Sequence, residues 1–253
     1  MSAPFATALL GWKKLKASGK PVPNSADSSS NASKALAGKI LEHLGVTPSV
    51  IIPGLPKSPG PALERLVQTD LESALPEADA SRTWLVDHKK KVEDFSQYSH
   101  LKELRKAISG AAVLSADLGL LDYLIKPDVT VGVAHSSSLP DGSPFLHAAV
   151  SCKWTIRSDR VQNVRHEFLQ MIRHRRGRLP HLVAITAEPM PSRITAIARG
   201  TGEVDAVYHI AFDALRQAVA EVGSKQQKND LAECIGQGRL RPYEELASTL
   251  ATW

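Results

Sequence analysis

The sequence predicts an α/β fold, and three observations carry that prediction. Leu182-Val183-Ala184-Ile185 is a continuous apolar run of strand length, as a strand buried on both faces requires. Val161, Val164, Phe168, Met171 and Ile172 instead recur at the helical period. From residue 147 to residue 222, strand-like and helix-like segments alternate, which is the pattern of helices layered on a sheet.

Taken in order, the chain opens on an apolar stretch at residues 5–12, read as a first helix; no basic residue precedes it, so it is not read as a signal peptide. Residues 18–33 are rich in Gly, Pro, Ser and Asn and are expected to form a polar loop containing Asn24-Ser25-Ala26-Asp27. Leu36, Ile40 and Leu44 lie on one side of a helix over residues 35–44. Prolines between residues 48 and 61 interrupt regular structure, and a helix resumes over 62–75 with Leu63, Leu66, Val67 and Leu71 as its stripe. Trp84-Leu85-Val86 reads as a strand and residues 98–108 as a helix. Residues 128–133 and 147–156 read as strands joined through the turn signal Pro140-Asp141-Gly142. An antiparallel pairing of those two strands sets Asp128 near Lys153.

Asp159 is placed to cap the helix that follows, and Gly177 to end it. The strand at 182–185 is followed by a short helix at 192–198, a strand at 204–210 and a helix at 213–222. Residues 225–241 read as a polar connector before a last short helix. A single domain over residues 1–253 is expected, since a chain of this length buries a sizeable core.

Composition narrows the function classes. A content of 43% hydrophobic and 23% charged residues is that of an ordinary soluble globular protein. The net charge of +5, with an isoelectric point near 9.2, favours a polyanionic partner. Two cysteines, Cys152 and Cys234, cannot make a disulfide framework and suit a reducing cytoplasm. No apolar run reaches the length of a bilayer span, so no membrane role is expected. The histidines and cysteines lack zinc-ligand spacing, Gly200-Thr201-Gly202 falls short of a phosphate loop, and no Gly-x-Ser-x-Gly elbow is present.

The informative segment is Ser151-Cys152-Lys153-Trp154-Thr155-Ile156-Arg157-Ser158-Asp159-Arg160, with Asp128 before it and Glu167 after it. Phosphodiester hydrolysis needs a nucleophilic water, a metal to neutralise developing charge and a basic side chain to hold or deprotonate the water. Asp128 suits a hard Mg²⁺ ion and Lys153 suits the water. Glu167 stands seven residues beyond Arg160, within roughly 20° of it around the helix, on the flank of the Val164/Phe168 stripe. Arg157, Asp159 and Arg160 lie where a strand feeds a helix; arginine is the commonest bidentate partner of guanine, and aspartate can accept from cytosine. Each residue taken singly also has an ordinary structural explanation: a turn, a solvated lysine, an Arg/Asp cluster at a helix cap.

Longer literal runs add a resemblance. Residues 151–163, Arg176-Gly177-Arg178-Leu179-Pro180-His181 through Thr186-Ala187-Glu188-Pro189, Pro191-Ser192-Arg193-Ile194, and Gly200-Thr201-Gly202-Glu203-Val204-Asp205 through Tyr208-His209 closely resemble the NgoMIV family of type II restriction endonucleases, which belongs to the group cutting sites with a CCGG core. The resemblance spans residues 24–215, densely from His147 onward. It implies a PD-(D/E)XK nuclease core with a central mixed β-sheet flanked by helices. It implies Asp128, Lys153 and Glu167 as catalytic and metal-binding residues, with Ser151 where the usual strand carboxylate stands and the Cys152 carbonyl also facing a metal. Glu64 matches the family's additional acidic residue, with Glu72 as the alternative. Arg157, Asp159 and Arg160 match positions that read the CCGG core; Arg193 and Asp27 match those that read the outer pair, which implies GCCGGC.

The resemblance further implies a Mg²⁺-dependent enzyme of the bacterial cytoplasm that acts on double-stranded DNA as a homodimer or homotetramer, with a cognate DNA methyltransferase in the host. The chain departs from the family's pattern in a shorter segment between Asp128 and Lys153 and in a proline-rich stretch at residues 53–61. Two other readings stand beside this one: a structure-specific PD-(D/E)XK repair nuclease, and a non-catalytic DNA-binding protein.

Overall fold

The computed structural model describes residues 2–15, 19–48, 55–109, 125–134, 142–156, 158–200 and 202–252, with backbone alone at 107–109 and 158–160. The apolar start of the chain makes one helical turn, α1 (Ala6–Leu9), and then enters strand β1 (Trp12–Lys14), which pairs antiparallel with β2 (Pro21–Pro23). The expected helix over 5–12 is thus shorter, and the expected polar loop over 18–33 contains a strand. Three-residue strands leave too few positions for a period to register.

Helix α2 (Asn31–His43) starts where Ser30 caps it, its hydroxyl accepting from the Ser33 N–H, and buries Leu36, Ile40 and Leu41. Helix α3 (Pro59–Ala78) is longer than the pattern predicted and buries Leu63, Val67, Leu71 and Leu75 at four-residue spacing. Pro59 and Pro61 were expected to interrupt structure; they sit in its first turn, where an absent N–H costs nothing.

Strand β3 (Trp84–His88) leads through two 3₁₀ turns, Val92–Asp94 and Ser96–Tyr98, into α4 (Ser99–Ser109). Then come β4 (Val129–Val133) and β5 (Phe145–Lys153), antiparallel as predicted. Of the turn signal between them, Gly142 adopts φ 62°, while Pro140 and Asp141 lie outside the described residues. Helix α5 (Ser158–His174) buries Val164, Phe168 and Met171. Asp159 lies within this helix and not at its cap, because the helix already begins at Ser158. Strand β6 (His181–Thr186), helix α6 (Pro191–Ala198), strand β7 (Ala206–His209) and helix α7 (Phe212–Val222) follow as the alternation predicted.

The stretch expected to be a connector is instead helix α8 (Lys225–Gly236) and strand β8 (Leu240–Pro242), before the last helix α9 (Glu245–Thr252). A capping box starts α8: the Ser224 hydroxyl accepts from the Gln227 N–H, and the Gln227 side chain accepts from the Ser224 N–H. Asp230, Leu231 and Cys234 are its buried residues, too few to give a conspicuous apolar stripe.

Among the described residues the main sheet has six strands in the order β3-β4-β5-β6-β7-β8. Pairing is antiparallel across β3, β4 and β5 and parallel from β5 to β8, so the sheet is mixed. Strands β5 and β6 are buried along almost their whole length, as central strands covered on both faces must be. No helix among the described residues is long and apolar enough to cross a membrane.

Two buried histidines mark opposite ends of this sheet. His147, near the start of β5, packs edge-on against Trp84 and His181 with ring centroids 5.2 Å away in each case, and its Nε2 donates to the Leu250 carbonyl at 2.7 Å. His209, at the end of β7, bonds the Glu188 carbonyl through Nε2 and the Ala211 N–H through Nδ1. Burial depresses both imidazoles to about 4. Both rings are neutral in the native state, and the unfolded chain takes up their protons first as pH falls. Stability is therefore fully present above about 6.5 and declines toward pH 4, by roughly 3 kcal/mol for each ring if the whole shift is realised. Urea unfolding at pH 7.5, 5.5 and 4.5 should show this decline, and His147→Phe should make it shallower.

Candidate active site

Val129 pairs with Val150, which brings Asp128, one residue before β4, to the end of β5. There its Oδ2 accepts from the Cys152 main-chain N–H at 2.8 Å and from Lys153 Nζ at 2.7 Å. The two side chains are only 15% and 21% exposed, so the pair is weakly screened by solvent. The expected convergence of Asp128 and Lys153 is present in the structure.

Glu64 of α3 faces the same region and is buried. Its Oε2 accepts from Lys89 Nζ at 2.9 Å and lies 2.9 Å from His88 Nε2. Burial pushes the Glu64 carboxyl up, but Lys89 and His88 outweigh it and hold the group below its usual range. Lys89 has φ 54°, the left-handed region that non-glycine residues avoid, at a cost of about 1–2 kcal/mol. That conformation turns the chain at the end of β3, lets the Lys89 N–H donate to the Asp128 carbonyl at 3.2 Å, and presents the ammonium to Glu64. Glu72, the alternative acidic residue, accepts from Gln68 on an exposed part of α3.

A cleft of about 360 Å³ is lined by Glu64, Cys152, Lys153, Trp154, Asn163 and Glu167. Glu167 reaches it from α5. Burial raises its carboxyl above the ordinary range; the Lys153 ammonium opposes that rise, and the Asp128 charge reinforces it. The three groups expected to converge thus act on one another electrostatically around one opening. The larger groove of about 840 Å³ between α7 and α8 holds Asp213, Arg216 and Lys228 but no second carboxylate, so size does not mark the site. Burial also raises the Cys152 thiol well above its usual value, which keeps it protonated and unreactive.

The donor chemistry fits a hard divalent cation. Asp128 and Glu167 offer carboxylate oxygens, and Ser151 Oγ, on β5 two residues before Lys153, is buried with no hydrogen-bond partner among the described residues. No three His, Cys, Asp or Glu side chains gather at ligating distance among the described residues. An ion held here by two carboxylates would complete its shell with water and phosphate oxygens, as Mg²⁺ does.

A second cluster adjoins the cleft. The Trp154 indole donates to the Asn24 carbonyl at 3.3 Å, which ties the end of β5 to the loop bearing Asp27. Asp27 accepts from the Ser29 N–H and hydroxyl and from Arg193 Nη2 at 2.6 Å. These donors, Ser29 foremost, hold its carboxyl far below the usual range. Arg193 and Asp27, singled out separately in the sequence, therefore form one ion pair. Arg157 lies outside the described residues, as do the side chains of Asp159 and Arg160.

Three contributors were not anticipated: His88 and Lys89, which hold Glu64, and Glu188, which sits behind Arg193. A lysine following a strand is too common a pattern to signal the first pair. Because Lys89 opposes the burial of Glu64, Lys89→Met should raise the Glu64 titration midpoint, a shift readable by carboxyl-carbon NMR; an unmoved midpoint would show that the contact carries no charge coupling.

The family description "NgoMIV restriction enzyme" matches residues 10–139 and 133–252, a wider span than the residues 24–215 over which the resemblance was legible. Across 277 aligned residues the chain is 35% identical to the type II restriction enzyme NgoMIV of Neisseria gonorrhoeae, covering 98% of this chain and 96% of that enzyme. Among solved structures, that of the restriction endonuclease PspGI with its substrate DNA overlaps 77% of this chain and 60% of its own, with 8% identity and a TM-score of 0.40. With both halves matched and a relative aligned nearly end to end, the chain belongs to the NgoMIV family of restriction enzymes.

Proposed function

We propose that this chain is a Mg²⁺-dependent type II endonuclease that hydrolyses both strands of double-stranded DNA at a palindrome with a CCGG core, GCCGGC when the outer pairs are included. The observation that carries the reading is the Asp128–Lys153 contact of 2.7 Å at the mouth of a cleft that Glu167 and Glu64 also line. Asp128, Glu167 and the Cys152 carbonyl would hold Mg²⁺, which when bound supplies charge neutralisation at the scissile phosphate. Ser151 occupies the strand position of the usual carboxylate, and Glu167 supplies the acid from the helix, as in the variant PD-(D/E)XK arrangement.

Lys153 is the group for the water. Its ammonium shares Asp128 Oδ2 with the Cys152 N–H, and once that carboxylate is engaged elsewhere the ammonium is free to hold the attacking water by donating to it, or, having given up a proton, to take one from that water as the neutral amine. Glu64, kept ionised by its partners, lines the wall of the cleft and holds Lys89 beside it. Arg157, Asp159 and Arg160 read the CCGG core, and Arg193 with Asp27 reads the outer pair. A palindrome calls for a symmetric homodimer, or a homotetramer of two such dimers, and host DNA requires a cognate methyltransferase.

Incubation with Mg²⁺ and a plasmid carrying GCCGGC should give discrete fragments whose ends map to that site. Lys153→Ala should bind the same DNA and cut it at least about a hundredfold more slowly. Random nicking, or intact plasmid, would sink the reading.

The raised Glu167 carboxyl adds a pH dependence. Protonation removes a ligand, so cleavage should fall on the acid side at a pH above the ordinary glutamate range. Raising the Mg²⁺ concentration should move that limb downward, because cation and proton compete for the same oxygens.

A further inference from the structure

Glu188 is fully buried, and neither cleavage nor metal binding uses it. A carboxylate in such a place needs donors from the protein, and here each oxygen has one. Its Oε2 accepts from the Ile156 N–H at 2.8 Å, and its Oε1 accepts from the Met190 N–H at 3.1 Å. Arg193 Nη1 stands 3.8 Å from the same Oε1. The Glu188 main chain is fixed as well, its N–H donating to Thr186 Oγ1 at 3.1 Å and its carbonyl accepting from His209 Nε2 at 3.1 Å.

The placement of these donors is the informative part. Regular pairing of β5 with β6 ends at Lys153 and Thr186, and one further main-chain bond joins the Ala187 N–H to the Trp154 carbonyl. Beyond it, the Glu188 side chain takes over the link between the two strands. Ile156 belongs to the chain leaving β5; Met190 is the N-cap of α6, and Arg193 lies in the first turn of that helix. Arg193 in turn binds Asp27. One carboxylate thereby joins the end of the strand that carries Lys153 to the helix that carries Arg193.

We propose that Glu188 is a positioning residue for sequence readout, holding the Arg193–Asp27 pair at a set distance from the end of β5 so that the outer base pair is read from the same frame in which the strand is cut. This deepens the proposed function and rests on its assignment of Arg193 and Asp27. A residue needed only to fill volume would be apolar. Here two acceptors are required by two N–H groups of different elements, and the third neighbour is the guanidinium itself. Glutamine fits the space but offers one acceptor oxygen, and its amide would point N–H at N–H.

Titration gives the same device a second readout. Burial raises Glu188 to about 7; the Ile156 and Met190 N–H groups and Arg193 oppose the rise, and Asp27 adds to it. The ionisable groups facing it are Arg193 from α6, Asp27 from the loop before α2 and His209 from β7. Asp27 stays ionised far below that range, and His209 stays neutral down to about 4. Protonation between pH 8 and 6 therefore falls on Glu188 in this cluster, and a protonated oxygen no longer serves as a clean acceptor.

The test uses the full-length enzyme with Mg²⁺ on two DNAs that differ only in the pair flanking CCGG, and compares their kcat/KM values. At pH 8, Glu188→Gln should lower the ratio for GCCGGC over ACCGGT by about tenfold or more, while affinity for a duplex lacking CCGG is retained. A folded Glu188→Gln enzyme with the wild-type ratio would overturn the proposal. Should that variant fail to fold, the wild type decides: a ratio that falls from pH 8 to pH 6 supports the proposal, and a constant ratio overturns it. Absence of any cutting at CCGG by the wild type would instead overturn the proposed function itself, so the two failures are told apart.

Discussion

Asp128 is the joint at which the strand pairing and the candidate site meet. Its carboxylate accepts from a main-chain N–H of β5 and from the side chain of the next residue on that strand. The first bond locks the approach of β4 to β5; the second fixes where the Lys153 ammonium stands. Because both donors share one oxygen, the geometry of the sheet and that of the site are set together. Anything that moved β4 by one residue along β5 would lose both contacts and turn Asp128 to the other face.

Around that joint the site is built from elements far apart in the chain. Helix α3 delivers Glu64, the strained reversal after β3 delivers Lys89, and α5 delivers Glu167. The carboxylates are held in different states by their surroundings: Glu64 is paired with Lys89 and His88 and kept charged, whereas Glu167 is half-buried and more easily protonated. Such a division among neighbouring acids is common where a site must bind a cation and manage protons at once. The carboxyl end of β5 opens into this region through Cys152, Lys153 and Trp154.

Much of the fold was legible because long elements repeat. Residues 161–172 kept helical period, residues 182–185 were apolar throughout, and both became the elements they predicted. Short or polar elements were not legible. Strands β1, β2 and β8 have three residues each, and α8 buries only Asp230, Leu231 and Cys234, so their partners define them more than their composition does. Prolines misled in one place, since the same residue that ends a helix also begins one.

The order of residues alone determined the alternation of strands and helices, the antiparallel placement of Asp128 beside Lys153, and the family to which the chain belongs. Those properties follow from local periods, a short connection and long literal runs. Only the tertiary structure decided that Glu64 faces the cleft, that Lys89 holds it, that Arg193 meets Asp27, and that Glu188 lies behind both. The reason is physical: such contacts join residues up to 166 positions apart, and whether a carboxylate there is charged depends on burial and on donors that no local stretch of sequence contains.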